Sequence, residues 1–466
     1  FQEVNEMSAL RGETPQHEFF RVRIRCCSVV FLALFACTPR AFSQTKTAGS
    51  IQATAETEGQ AHSQADTPLQ DLLNEAERNN PQIRAARQGW QSAKQVPSQV
   101  STLPDPQFQV QQLSVGSPRP FAGYTNSDFA YFGLGVSQDI PYPGKLRLKG
   151  EMATQDAGVA RQQYETVCRA VFAGVKSAYF QLAYLSETLG ILESDGQLLQ
   201  QVEKAADARY SSGMGNQQDL LQAQLEQTKL LREITVHHLD VAKVQAQIKQ
   251  LLARSQSSPD IEAAQLRETL LPYTYDELLA AAKAQNPEIA GAQKMVQKEK
   301  LQVELAHKDF YPDFNVQYMW QRTDPTQFRA YYMLSAGVRV PIYRSRKQRP
   351  ELAEAEADLS RSRSEAESQM QQIAFELRTE YETAQKTAEL LKIYREGLLP
   401  QARAGFQSGL AEYQNNRQDF QALLTSFLDV LKLDEEYWQD SAERETALAR
   451  IEELTGLSLR SEGATR

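Results

Sequence analysis

Between about residues 145 and 210 the chain has no proline, and its apolar residues recur at steps of four and three. Ala178, Leu182, Leu185, Leu189 and Leu192 set the register, and Leu199, Val202 and Ala206 continue it. This is a heptad seam, narrower than the apolar face of a helix on a globular core. A helix of that length spans roughly 100 Å at about 1.5 Å per residue. It stops at Tyr210-Ser211-Ser212-Gly213-Met214-Gly215, where glycine permits a tight reversal. Val241, Val244, Ile248 and Leu251 then carry the seam back. The plan returns in 349–408, where Ala374, Leu377, Tyr381, Ala384, Ala388 and Leu391 keep the rhythm. A turn near Gly409–Asn416 follows, then a return helix reaching about Leu454. Two very long antiparallel hairpins are predicted, over 145–254 and 349–454. Shorter helices are expected over 68–100, broken at Asn80-Pro81, and over 275–308.

Before each hairpin the period changes from three and four to two. Phe108 and Val110 alternate with glutamines at about 106–113, and Phe132, Leu134 and Val136 alternate with small or polar residues at about 131–141. Phe314, Val316, Tyr318 and Trp320 do so at about 313–321, and Leu334 and Val338 at about 331–341. Strict alternation over about ten residues fits a membrane-barrel strand. A soluble sheet with one wet face gives the same pattern. Aromatic residues on the apolar face, together with the export signal described below, favour the barrel and make these eleven residues candidates to face lipid. Four strands cannot close a barrel around a channel, and lipid tolerates no open edge. The chain must therefore oligomerise. Three copies would give twelve strands above a cylinder of twelve helices, although geometry alone does not fix the number three.

The two halves are copies of one another. Asn80-Pro81-Gln82-Ile83 returns as Asn286-Pro287-Glu288-Ile289, and Pro106-Gln107-Phe108-Gln109-Val110 as Pro312-Asp313-Phe314-Asn315-Val316, each offset by 206 residues. Asp219 is matched by Asp419 at an offset of 200. A first repeat over 67–260 and a second over 261–457, with a tail at 458–466, follow from this spacing.

The amino-terminal segment has the pattern of an export signal. Arg21, Arg23 and Arg25 precede the apolar run 28–36, and Ala41-Phe42-Ser43 offers a cleavage site. The expected division is a signal peptide over 1–43 and a flexible leader over 44–66. Leu34-Phe35-Ala36-Cys37 offers the competing reading of lipid attachment at Cys37. The net charge of −9, with no basic stripe, argues against nucleic acid as a partner.

In order and spacing, four groups of residues resemble the TolC-like outer membrane efflux proteins over about residues 68–457. They are the Asn80 motif with its echo at 286; Gln138-Asp139-Ile140-Pro141-Tyr142-Pro143-Gly144-Lys145; Ala208-Arg209-Tyr210 through Gly213 to Asp219-Leu220-Leu221; and Leu398-Leu399-Pro400-Gln401-Ala402. The resemblance implies a mainly helical homotrimer with a twelve-stranded barrel in outer-membrane lipid and a periplasmic tunnel. It implies docking through a periplasmic adaptor onto an inner-membrane pump of the RND type. It also implies a gate at the helical tips, where an aspartate holds the tunnel closed by bonding a tyrosine and an arginine. Asp219 and Tyr413 match the aspartate and the tyrosine. The arginine position holds Gln418, with Arg417 beside it, and Asp419 is a further acid at the constriction. Gly213, Met214, Gly215 and Asn216, with Asn416 on the second hairpin, mark the adaptor-docking tips. The plainer reading is that Asp219 and Asp419 cap the return helices. Leu103-Pro104-Asp105-Pro106 resembles the heavy-metal branch of the family, which implies metal cations as cargo.

Chemistry of other kinds has no support. No nucleophile and base stand in a recognisable arrangement, and no glycine-rich phosphate loop opens a helix. His237 and His238 are adjacent and point to different sides of a helix, while His62 and His307 stand alone. Neither an enzyme nor a bound cofactor or metal is expected. Two alternatives to an efflux duct stay open: the exit duct of a type I secretion system, and a periplasmic coiled-coil protein without a pore.

Overall fold

The computed structural model describes residues 68–113, 131–322, 330–415 and 417–459. The signal segment with Cys37, the leader, Asn416 and the end of the tail lie outside them. The first repeat runs α1 (Leu69–Asn79), α2 (Pro81–Ala93), α3 (Val96–Ser101), β1 (Gln107–Leu113), β2 (Tyr131–Ile140), α4 (Lys145–Ser211) and α5 (Gln217–Leu251). The second runs α6 (Tyr275–Gln285), α7 (Pro287–Lys308), β3 (Asp313–Arg322), β4 (Tyr331–Arg339), α8 (Gln348–Ile393), α9 (Leu399–Gln414) and α10 (Phe420–Thr455).

The repeated Asn-Pro motif places a helix break and a clamp in the same position twice. Proline forces the residue before it into extended geometry, and Asn80 and Asn286 have ψ of 124° and 124°. The Asn80 side chain then accepts hydrogen bonds from the Gln82 and Ile83 amides at 2.8 and 3.3 Å. Asn286 accepts from Glu288 and Ile289 at 2.9 and 3.2 Å. Each thus caps the helix that its proline begins. Behind the caps, Leu72, Ala76 and Ile83 enter a core with Val175, Leu182 and Ile248. Their counterparts Leu278, Ala282 and Ile289 enter another with Leu377, Leu448 and Ile451.

The four strands form one antiparallel sheet in the order β1-β2-β3-β4, so the halves join where β2 pairs with β3. The register pairs Phe108 with Val136, Val110 with Leu134, Leu134 with Trp320, Val136 with Tyr318, Tyr318 with Leu334, and Phe314 with Val338. The opposite face pairs Gln109 with Gly135, Asp139 with Asn315 and Asp313 with Arg339. Below the sheet, Lys145 at the start of α4 bonds Asp309 at 3.0 Å and Asp313 at 2.9 Å, tying the first hairpin to the second repeat.

α4 has 67 residues but α5 only 35, so the return helix matches only part of the outgoing one. α4 also packs against α2, α3 and α7. The second hairpin differs from expectation in two ways. The expected single helix 349–408 is two, α8 and α9, joined by a π turn over Tyr394–Leu398. Pro400 is the cause: its ring cannot donate to the carbonyl four residues back and crowds it. The turn widens to a five-residue step, with the Leu399 amide bonding the Tyr394 carbonyl. The second tip also lies further along than expected, because α9 continues to Gln414.

Candidate functional site

Each tip is closed by an amide bonding the carbonyl five residues back. At the end of α4, Gly213 has a φ of 74°, which only glycine adopts freely. Its amide bonds the Tyr210 carbonyl at 3.0 Å, and the Met214 amide bonds the Arg209 carbonyl at 2.9 Å, the paired bonds of a Schellman turn. Gly215 is required for a different reason, since a Cβ there would stand 3.0 Å from the Arg209 Cβ. On the second hairpin the Arg417 amide bonds the Glu412 carbonyl at 2.9 Å across the equivalent span. Gly213, Met214 and Asn216 are exposed at the first tip, with Gly215 half-buried.

Beneath the tips, α4, α5, α9 and α10 share a core of Leu199, Val202, Ala206, Ala223, Phe406, Phe420, Leu423 and Phe427. Tyr413 closes it and is 1% exposed, with its ring edge-on to Phe420 at 5.7 Å. The Arg209 guanidinium lies over the same ring, 4.3 Å from its centroid, and donates to the Tyr413 carbonyl at 3.0 Å.

The two aspartates differ. Asp419 is the N-cap of α10, its carboxylate accepting from the Gln421 amide at 3.3 Å. Asp219 does not cap; Asn216 precedes α5, and Asp219 is the third residue of the helix. Burial first, and then the charge of Asp419, push the Asp219 carboxyl above the usual carboxylate range, with Arg209 opposing. Among the described residues of one subunit, Asp219 has no hydrogen bond to Tyr413, Arg417 or Gln418. Its nearby cation is Arg209, which the sequence reading quoted only as part of a motif. The signal available was its place in the last turn of α4, where a cation meets the negative end of a helix. Arg417 is exposed, and Gln418 is half-buried with its side chain against Gly409.

At the other end, the eleven expected lipid-facing residues share one face of the sheet through the register above. Phe108 is 83% and Leu334 69% exposed; Val110, Leu134, Phe314, Val316, Tyr318 and Val338 are also exposed. Phe132, Val136 and Trp320 are half-buried. An apolar face of this extent on a folded chain marks a membrane or protein contact. Among the described residues, no helix is long and apolar enough to cross a membrane, and no three metal-binding side chains converge.

An antiparallel sheet with an exposed apolar face, set on two long helical hairpins, defines an outer-membrane channel with a helical tunnel. The model of the outer membrane efflux protein family matches residues 72–254 and 278–456. The chain belongs to this family and is an outer-membrane protein. No curated protein matches the sequence significantly. Among solved structures, CusC is 17% identical, with a TM-score of 0.72 over 84% of this chain and 92% of that one. VceC from Vibrio cholerae is 15% identical, with a TM-score of 0.71 over 84% and 97%. The open-state MtrE channel of Neisseria gonorrhoeae is 15% identical, with a TM-score of 0.70 over 83% and 88%. These likenesses establish the fold.

Proposed function

We propose that the chain is the passive exit duct of a tripartite efflux system. Three copies would close a twelve-stranded barrel above a periplasmic helical tunnel. The carrying observation is the sheet itself: apolar on an exposed face, and paired on one side only at β1 and β4. A lipid-embedded sheet cannot leave those edges open. The helices support ring closure as well. α5 exposes Leu221, Leu225, Leu231, Val236 and Leu239, while α8 exposes Phe375, Leu390 and Ile393. Two different apolar strips make a head-to-tail contact, the type that closes rings. Residues 67–260 and 261–457 are then two repeats of one strand pair and one hairpin.

The tips would be both gate and dock. Asp219, Tyr413, Arg417, Gln418 and Asp419 line the proposed closure, and threefold rings of the aspartates would favour cations. Gly213 through Asn216, with Asn416, would meet a periplasmic adaptor serving an RND-type pump. The 103–106 motif makes heavy-metal cations the proposed cargo.

The test is conductance of the purified protein in planar bilayers. Small, cation-preferring conductance is expected from a heat-dissociable trimer, rising when Asp219 or Tyr413 becomes Ala. A monomer recovered in the soluble fraction with no conductance overturns the proposal. Deletion should sensitise cells to metal salts; unchanged metal tolerance with sensitivity to dyes would reassign the cargo alone.

A further inference from the structure

At the tips, among the described residues, Arg209 is the arginine that bonds across both hairpins, beside Asp219 and the buried Tyr413. Arg209 leaves the last turn of α4 in the first repeat. One guanidinium nitrogen donates to the Tyr413 carbonyl of the second repeat at 3.0 Å, and another reaches the Met214 carbonyl of its own turn at 3.4 Å. Its Cζ lies over the Tyr413 ring, 4.3 Å from the centroid. Tyr413 stands one residue before the end of α9, so its carbonyl belongs to the last turn, where a helix turns its carbonyls outward. A guanidinium there meets the negative end of the helix as well as the ring face. The Arg209 carbonyl also accepts from the Ser212 hydroxyl at 3.0 Å and the Met214 amide at 2.9 Å, which fixes the side chain's root in the turn.

We propose that Arg209 is the positioning residue of the gate, fastening the second hairpin's tip to the first within one subunit. This rests on the gated-duct reading above. The guanidinium does three things that no other described side chain at the tips does together. It bonds both turns, it stacks on the tyrosine that closes the core, and its charge acts on Asp219. Removing it leaves Asp219 and Asp419 repelling each other with Arg417 as the remaining tip arginine, exposed on the far turn. The lock then loses its attraction and keeps its repulsion, so the tips separate.

Arg209→Met keeps an apolar stem over Tyr413 and deletes the charge; Arg209→Lys keeps the charge and loses the planar fork. In planar bilayers the Met variant should raise mean conductance several-fold, and the Lys variant by less. Adding Tyr413→Ala to Arg209→Met should raise it little further, because the ring it removes is the one the guanidinium had covered. Raising the salt should narrow the difference between wild type and Arg209→Met, since a screened attraction holds less. Gel migration of the trimer and far-UV dichroism confirm assembly. If Arg209→Met does not assemble, Arg209→Lys carries the test alone, and wild-type conductance from it overturns the proposal. Wild-type conductance from Arg209→Met, with higher conductance from Asp219→Ala or Tyr413→Ala, removes Arg209 from the gate and leaves the gated duct standing. Unchanged conductance from all of these assembled variants removes the gated tip itself.

Discussion

The Asn80 side-chain amide donates to the Leu251 carbonyl at 2.8 Å, across 171 residues of chain. Asn286 repeats the bond to the Leu454 carbonyl at 3.0 Å. Leu251 and Leu454 lie at or within one residue of the ends of α5 and α10, where a helix leaves its carbonyls unpaired. One side chain therefore caps the helix that follows it and satisfies the end of the return helix of its own repeat. Both asparagines are buried, at 3% and 4% exposure, so neither bond is replaced readily by water.

Asn80→Ala should lower unfolding stability by about 2–3 kcal/mol, combining a lost cap with an orphaned carbonyl. Asn286→Ala should cost about the same, and the double variant about the sum, because the two clamps belong to separate cores. Thermal melts of the detergent-solubilised channel measure this. A loss under about 0.5 kcal/mol in either single variant would mean that the clamp is ornamental.

These clamps show what the sequence made legible. The repeat, the four strands and the helical register could be read because periodicity and Asn-Pro punctuation are local signals. The clamp's second half could not, since nothing near Asn80 points to Leu251. The same limit applies at the tips: Asp219 and Tyr413 were pointed to by the resemblance, whereas Arg209 acquires meaning only when its guanidinium meets Tyr413 on α9. The π turn was in principle visible, because Pro400 sits inside a helical pattern. A proline can end a helix, kink it or widen it, and the neighbouring helices decide which.

A second buried site predicts a pH dependence. Asp195 on α4 faces Asp434 on α10 and Arg403 on α9, beside a cavity of about 480 Å³ that Glu187 also lines. Arg403 bonds Asp434 at 2.7 Å, and one Asp195 carboxylate oxygen is buried without a hydrogen bond. Burial first, and then the Asp434 charge, raise the Asp195 carboxyl to about 6 from 3.8. The folded state therefore holds this proton more tightly than the unfolded chain. Stability contributed here is greatest below about pH 4 and falls as pH rises towards 6. Asp195→Asn should remove that slope and gain about 2 kcal/mol above pH 6. Melts at pH 4.5 and 7.5 decide it, and an unchanged wild-type difference in the variant refutes it.

Lys145 offers a test of the joint between sheet and tunnel. Its ammonium lies between Asp309 and Asp313, and Asp313 also accepts the Tyr142 amide at 2.8 Å. Lys145→Met leaves two carboxylates facing each other and should cost about 2 kcal/mol. The loss should shrink when Asp309→Asn is added, because a repelling charge is then gone. A single-variant midpoint equal to wild type in the same melts would show that the tie is dispensable.

The helical edges separate assembly from folding. α4 packs against α5 and α10, and α10 packs against α8 and α9, so α5 and α8 lie at opposite ends of the layer. Leu225 and Leu239 are 53% and 56% exposed on α5, and the shared tip core is built from Ala223 and Leu230 instead. Introducing Glu at both positions should therefore leave the subunit fold intact while placing three pairs of carboxylates against the apolar strip of neighbouring subunits. Each leucine buried in a closed ring is worth about 1.5–3 kcal/mol, before the cost of burying a charge in its place. The expected result is a helical monomer by dichroism and sizing in detergent, without channel conductance. A trimer that persists with wild-type conductance would place the contact on another face of the layer and leave α5 exposed in the assembled duct.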